Sequence, residues 1–278
     1  LRTMLGAYRR LFPALPRKWR LLPRPARSTH RRPAPATAAR SQASSVALFA
    51  GCVATSYEAG ARDGLRQLCA ALDIDLVAPA RQGCCGSLHA HAGDIAGAER
   101  MAAGNRDAFA GGGTVLTLAS GCHDTLARSL PGSTTRDALM FLDAHADRLG
   151  FRPHEERIAL HLPCTQRNTA GSVPALRRLL GRVPGLDVIE LTAGYGCCGA
   201  AGTAMLSDSA RAKEYRDPLL AQLHASGATR LLSANIGCRL HLGNATDLPV
   251  QHPVELLAQL LDTPPAPPDR PAPPETSS

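Results

Sequence analysis

No stretch free of Asp, Glu, Lys and Arg exceeds 17 residues in this 278-residue chain; Ser41–Tyr57 and Leu191–Ser207 reach that length, and both carry Ser, Thr and Gly. A membrane-spanning helix needs about 20 mostly apolar residues, so none is expected. Lysine is scarce, at Lys18 and Lys213 only, and this bias toward Arg carries no functional reading. Acid is missing from residues 1–40, which hold 11 Arg and Lys, so the net charge of +8 belongs to that segment; beyond it 20 basic residues face 23 acidic ones. Nucleic-acid binding is not expected, because the basic residues do not continue onto the body of the chain. The apolar core of a secretory signal is also absent, Arg pairs and prolines standing in its place, which argues against a secreted disulfide framework. No Ser/His/Asp triad or carboxylate pair stands out. Gly199-Ala200-Ala201-Gly202 lacks the third glycine and the later acid of a dinucleotide fingerprint, so neither a nicotinamide site nor a catalytic residue for hydride removal is expected. The remaining composition, 44% hydrophobic and 19% charged, excludes disorder throughout and suffices for one large or two small cores.

Cysteine is where the chain is rich. Eight of the nine fall into two copies of one pattern: Cys52, x31, Cys84-Cys85, x36, Cys122, then Cys164, x32, Cys197-Cys198, x39, Cys238, with Gly86 or Gly199 after each pair. The copies are offset by 112, 113 and 116 residues, which marks an internal duplication. Apolar runs, Val46–Gly51 and Ile158–Pro163, end just before Cys52 and Cys164 and read as buried strands. Amphipathic helices follow, with Leu65, Leu68, Cys69, Leu72 and Leu176, Leu179, Leu180, Val183 spaced i, i+3, i+4, i+7. The ninth cysteine, Cys69, takes the place of Leu180 and reads as a core residue. Short strands (Asp75–Ala78, Val188–Leu191) lead into each Cys-Cys-Gly loop. Helices capped by Asp94 and Asp208 come next, the second kinked or split at Pro218. Third strands (Thr114–Leu118, Thr229–Ala234) run into Cys122 and Cys238. The fold class expected is α/β: two tandem repeats, each a small parallel sheet with crossover helices and its cysteines at the carboxyl edge.

Four convergent thiolates suit an iron–sulfur cluster or a tetrahedral zinc. Adjacent cysteines diverge from the backbone and partner poorly on a single ion, which favours a cluster, with zinc in one repeat the alternative. The glycine after each pair lets backbone N–H groups approach sulfur. Inert buried thiols, structural disulfides and a vicinal-disulfide redox pair are the other readings. His89, His91, His123 and His161 stand near the cysteines as further ligand or hydrogen-bond candidates, with His123 favoured because it follows Cys122.

The duplicated Cys, Cys-Cys-Gly, Cys pattern resembles the cysteine-rich CCG domain shared by heterodisulfide reductases, lactate-utilisation proteins and glycolate oxidase iron–sulfur subunits. Leu118-Ala119-Ser120-Gly121-Cys122, Pro163-Cys164-Thr165, Cys197-Cys198-Gly199-Ala200-Ala201-Gly202-Thr203 and Ser233-Ala234-Asn235-Ile236-Gly237-Cys238 are most similar to the last of these, over roughly residues 45–262. The resemblance implies an electron-transfer subunit of a glycolate oxidase (glycolate dehydrogenase) complex, with clusters of the [4Fe-4S] type. Cys52, Cys84, Cys85 and Cys122 would hold one centre and Cys164, Cys197, Cys198 and Cys238 the other. FAD-binding subunits would oxidise the substrate, and the complex would be cytoplasmic or peripheral at the inner membrane. Two features depart from the pattern. Ala119 and Asn235 stand where heterodisulfide reductase has the first Cys of C-x-x-C, which argues against its five-thiolate cluster. No cysteine precedes Cys52, so either the chain is a fragment or the ferredoxin-like module of such subunits is supplied elsewhere.

The expected organisation is a basic segment or linker at 1–44, repeats at 45–150 and 151–262, and a disordered Pro-rich tail at 263–278. The basic segment, with Tyr8, Phe12 and Trp19 among its arginines, reads as a docking arm for a flavoprotein or an anionic membrane surface, as a linker, or as a transit segment.

Overall fold

The computed structural model describes residues 2–14, Leu22 and residues 44–262. Trp19, most of the basic segment and the Pro-rich tail lie outside the described residues. Helix α1 (Arg2–Leu11) stands at the N-terminus, where Tyr8 meets Phe12 edge-on and its hydroxyl donates to the Leu22 carbonyl at 2.6 Å.

In the first half come β1 (Ser44–Phe49), α2 (Ala54–Tyr57), α3 (Ala59–Ala71), β2 (Ile74–Val77), α4 (Ser87–His91), α5 (Ile95–Ala108), β3 (Gly113–Thr117), α6 (Ser120–Ser129), β4 (Ser133–Asp137) and α7 (Ala138–Asp143). The second half repeats the plan with β5 (Glu156–His161), a π-helical turn (Gln166–Ala170), α8 (Val173–Gly181), β6 (Leu186–Leu191), α9 (Ala204–Ser207), α10 (Ser209–Ala225), β7 (Leu231–Ser233), α11 (Ile236–Gly243), β8 (Val250–Gln251) and α12 (Pro253–Gln259). Both sheets are parallel, ordered β2-β1-β3-β4 and β6-β5-β7-β8. Leu48 pairs with Leu116, and Leu160 with Leu232. In each sheet the chain reverses its direction of travel beside the first strand. The carboxyl ends of β1 and β3, and of β5 and β7, therefore flank a crevice of the kind in which parallel sheets bind ligands.

The strands expected from the apolar runs are present, and a fourth strand completes each sheet. Strand β4, with the sequence Ser-Thr-Thr-Arg-Asp, has no apolar run to announce it, and β8 is two residues long. Asp94 caps α5 through the Gly97 amide at 2.8 Å, and Asp208 caps α10 through the Arg211 amide at 3.2 Å. Of the kink or split expected at Pro218, the split does not occur, since α10 runs through it from Ser209 to Ala225. An interior proline costs a helix about 3 kcal/mol. Burial of Leu219, Leu220 and Leu223 immediately after it offsets that cost, each worth about 1.5–3 kcal/mol.

The halves share one core. Leu48, Leu65, Leu68 and Leu116 of the first pack in one cluster with Ile158, Leu160, Leu176 and Leu232 of the second. The last helix of each half crosses to the other: α12 lies on α3, and α7 lies on α8. Cys69 on α3 is fully buried in this core, and burial pushes its thiol up to about 12.

Asp137 caps α7 through the Leu139 amide at 2.9 Å and is 2% exposed. Burial pushes its carboxyl up to about 6, against an ordinary value of 3.8. Between these values the folded chain holds a proton that the unfolded chain has lost, so stability falls as pH rises through that window. At about 1.4 kcal/mol per pKa unit the loss is about 3 kcal/mol. Asp137→Asn keeps the acceptor. Urea titrations are expected to show the variant more stable than the parent at pH 7 and without the parent's decline between pH 4 and 6.

Candidate metal centre

Each cysteine motif stands just past a strand. Cys52 follows β1 through the turn at Gly51, and Cys122 lies in the first turn of α6 after β3; Cys164 and Cys238 take the same places after β5 and β7. Polar side chains, the first of them buried, hold the Cys-Cys loops. On α5, Asn105 accepts from the Gly83 amide at 3.0 Å and donates to the Cys84 carbonyl at 2.8 Å. Gln222 on α10 does related work, accepting from the Thr192 and Ala193 amides at 2.8 Å.

The glycines after the pairs have φ of +85° (Gly86) and +78° (Gly199), a region that costs other residues about 1–2 kcal/mol. Their amides donate to Cys84 Sγ and Cys197 Sγ, both at 3.4 Å. A Cβ at Gly199 would stand 2.4 Å from the Ala212 carbonyl oxygen, whereas one at Gly86 would stand 3.1 Å from that of Ala98. Gly199→Ala is therefore expected to destabilise the chain by more than Gly86→Ala. The Gly199 change should exceed about 2 kcal/mol, the backbone strain plus an overpacking cost, measured as the difference in urea midpoint.

All eight paired-pattern cysteines line one cleft of about 220 Å³ between the halves. The two sheet edges face each other across it, joining the sites that the sequence placed at separate edges. A polar seam joins the halves beside it: Ser120 Oγ lies 2.9 Å from Thr165 Oγ1, Asn235 Nδ2 donates to Thr165 Oγ1 at 3.0 Å, and the Ser120 amide donates to the Ala234 carbonyl at 3.2 Å. All nine cysteines are free thiols.

In the first half the thiols form a chain of neighbours. Hydrogen bonds from Cys52 and Cys85 pull Cys84 well below the usual thiol range, and the donating thiols of Cys52 and Cys85 are pushed up, Cys85 through its contact with Cys122 first. In the second half Cys198 is lowered by Cys238, whose own thiol is raised, and desolvation raises Cys197. Cys85, Cys198 and Cys238 are buried, while Cys164 is exposed at the mouth. In each half one thiol is thus lowered by its neighbours, Cys84 in the first and Cys198 in the second.

The histidines sort differently from the sequence expectation. His123 turns to Thr117 Oγ1 at 2.9 Å, and burial lowers it. His89 pairs at the surface with Asp94 at 2.8 Å, and His91 borders the cleft. His161, at the end of β5, is fully buried; one of its ring nitrogens lies with Cys198 Sγ and Cys238 Sγ in a group within 4.8 Å of one another. Burial pushes it down to about 4, against the pull of the Gly196 carbonyl, so the ring is neutral at neutral pH. The only hint in the sequence is its place at the carboxyl end of a predicted strand, three residues before Cys164.

Sequence reasoning also missed the buried ion pair of Arg239, next to Cys238, with Glu58 at the start of α3. Burial pushes the guanidinium down to about 10, which leaves it charged.

Among curated proteins, the chain is 25% identical over 238 residues to the glycolate oxidase iron–sulfur subunit of Escherichia coli (strain K12), covering 78% of this chain and 58% of that protein. It is 28% identical over 219 residues to the probable glycolate oxidase iron–sulfur subunit of Bacillus subtilis (strain 168), covering 71% and 49%. Lactate utilization protein A of Macrococcus caseolyticus is 25% identical over 236 residues, covering 76% of this chain and 95% of that protein. The chain thus spans about half the length of the two glycolate oxidase subunits. Residues 46–127 and 158–243, one segment from each half and each containing a full set of four cysteines, match the cysteine-rich domain CCG, and the chain belongs to that family.

Proposed function

We propose that this chain is an iron–sulfur electron-transfer subunit of a glycolate oxidase (glycolate dehydrogenase) complex. The observation that carries the reading is the gathering of eight thiols, four from each half, around one cleft. The donor chemistry fits: soft thiolates, glycine amides aimed at sulfur and a neutral imidazole, the one carboxylate of the lining, Glu58, being paired with Arg239. Cys52, Cys84, Cys85 and Cys122 would hold one centre, and Cys164, Cys197, Cys198 and Cys238 the other. A [4Fe-4S] cluster held there supplies one-electron uptake and release.

The chain's own residues set the conditions. The Gly86 and Gly199 amides stabilise negative charge on sulfur. Phe49, Leu118, Met205 and Leu240 wall the cleft with apolar surface, which keeps water from the thiolates and strengthens every charge interaction inside. In this reading FAD-binding partner subunits oxidise glycolate to glyoxylate, the flavin accepting the electron pair. Electrons would pass from them through this chain, with a ferredoxin-like module, toward a membrane acceptor. Among the described residues no helix is long and apolar enough to cross a membrane, which suits a cytoplasmic subunit peripheral to the inner membrane.

Coverage of 95% of lactate utilization protein A favours a second reading, service to a lactate-oxidising system. Turnover of the reconstituted complex with glycolate and with lactate separates the two.

The test is the iron, acid-labile sulfide and zinc content of anaerobically purified chain, with electron paramagnetic resonance before and after dithionite. Reducible iron and sulfide near one cluster per half support the proposal. Stoichiometric zinc without iron overturns it in favour of a structural module.

A further inference from the structure

The halves share one plan, but the residue that ends the first strand differs: Phe49 on β1 and His161 on β5. Phe49 packs on Phe109 at 6.4 Å between ring centroids and offers no ligand atom. His161 is 0% exposed and borders the cleft. Its Nδ1 lies 3.1 Å from Ser233 Oγ, the neighbouring residue on β7. Nε2 has no hydrogen-bond partner among the described residues, although the Gly196 carbonyl lies near the ring; with the proton on Nδ1 and donated to Ser233, Nε2 carries the lone pair. A buried polar atom left so costs about 1–3 kcal/mol unless something binds it.

The group formed by His161, Cys198 and Cys238, within 4.8 Å of one another, is the one set of three metal-ligating side chains that closes to this degree among the described residues. Bonds of about 2.3 Å to sulfur and 2.0 Å to nitrogen put ligand atoms roughly 3.5–3.8 Å apart around a single ion; a cluster spreads them farther. The observed spacing lies within a small side-chain adjustment of either. The outer partner is the kind that orients a ligating imidazole. In the first half the counterpart of Ser233 is Thr117, and it is occupied by His123 instead.

We propose that His161 is a ligand of the second-half centre through Nε2, taking the place there of one of the four thiolates assigned above, so that the two centres differ in kind: thiolate only in the first half, three thiolates and an imidazole in the second. A neutral imidazole in place of a thiolate lowers the negative charge at the site and raises its reduction potential, as histidine ligation does in other iron–sulfur centres. The second half is then the electron-accepting end of the pair. The inference rests on the thiols being a metal centre, though not on the metal being iron.

The full chain, loaded anaerobically with iron and sulfide and reduced with dithionite, is examined by pulsed electron paramagnetic resonance with and without ¹⁵N-histidine. Coupling to a histidine nitrogen is expected in the parent and in Phe49→His, and is lost in His161→Phe. If His161→Phe releases iron from the second half, His161→Cys is expected to restore it, with a lower midpoint potential than the parent's; a purely structural histidine would not be rescued by a thiol. Absence of nitrogen coupling in the parent, or its persistence in His161→Phe, overturns the inference. If the purified chain proves to carry zinc alone, cobalt(II) takes its place, and the same loss of nitrogen ligation in His161→Phe is read from the absorption spectrum. Failure of the iron reading is thereby distinguished from failure of this one.

Discussion

Cys198→Ser is expected to strip metal from the second half and leave the first half loaded, so that iron per chain falls by about half. Cys198 is buried, and its contact with Cys238 lowers its thiol. Serine preserves the shape, but its hydroxyl does not ionise near neutral pH and is a hard donor for a soft metal. Removing only an outer hydrogen-bond partner of a ligand costs about 10–100-fold in metal affinity, and loss of the ligand itself should exceed that. Cys85→Ser is the mirror experiment, with the first half emptied. Iron and sulfide analysis of both variants, with circular dichroism as a check on folding, reads the result. Full iron content in both rejects the ligand assignment.

Breaking the Arg239–Glu58 pair should produce the largest loss of stability. The side chains are 6% and 2% exposed, and they join the Cys238 helix of the second half to the start of α3 in the first. Arg239 also donates to the Ser233 carbonyl at 2.6 Å, which ties it to the end of β7. Removing Arg239 strands Glu58 as a buried charge, at a cost of about 3–5 kcal/mol, and removing Glu58 leaves Arg239 only the more distant support of Glu255. Glu58→Gln and Arg239→Met are each expected to lower the urea midpoint accordingly. The double variant Glu58→Leu/Arg239→Met should recover much of the loss, because packed apolar side chains replace both charges. A cost in Arg239→Met alone that the double variant does not relieve would mean that the bond to Ser233 matters more than the ion pair.

Both predictions depend on contacts between halves, where sequence reasoning was weakest. Within a half it did well. The apolar runs before Cys52 and Cys164 became β1 and β5, the i, i+3, i+4, i+7 leucines became the buried faces of α3 and α8, and Asp94 and Asp208 became caps. These features are local: strand and helix periodicities and caps are set by neighbours a few residues away. Where a local rule met tertiary packing it gave way, as at Pro218, whose helix continues because the leucines after it are buried.

The duplication, the parallel α/β plan and the placing of each cysteine motif beyond a strand end were legible because they depend on spacing and on the alternation of strand and helix. The joining of both cysteine sets in one cleft was not. It follows from α7 lying on α8 and α12 lying on α3, contacts driven by apolar burial between segments far apart in sequence, and such burial has no direction that a linear pattern records. The same packing decided which histidine faces the thiols. His123 is beside a cysteine in sequence and turns away to Thr117. His161 stands three residues from Cys164, but the sheet's register sets it beside Ser233 and folding closes Cys198 and Cys238 around it.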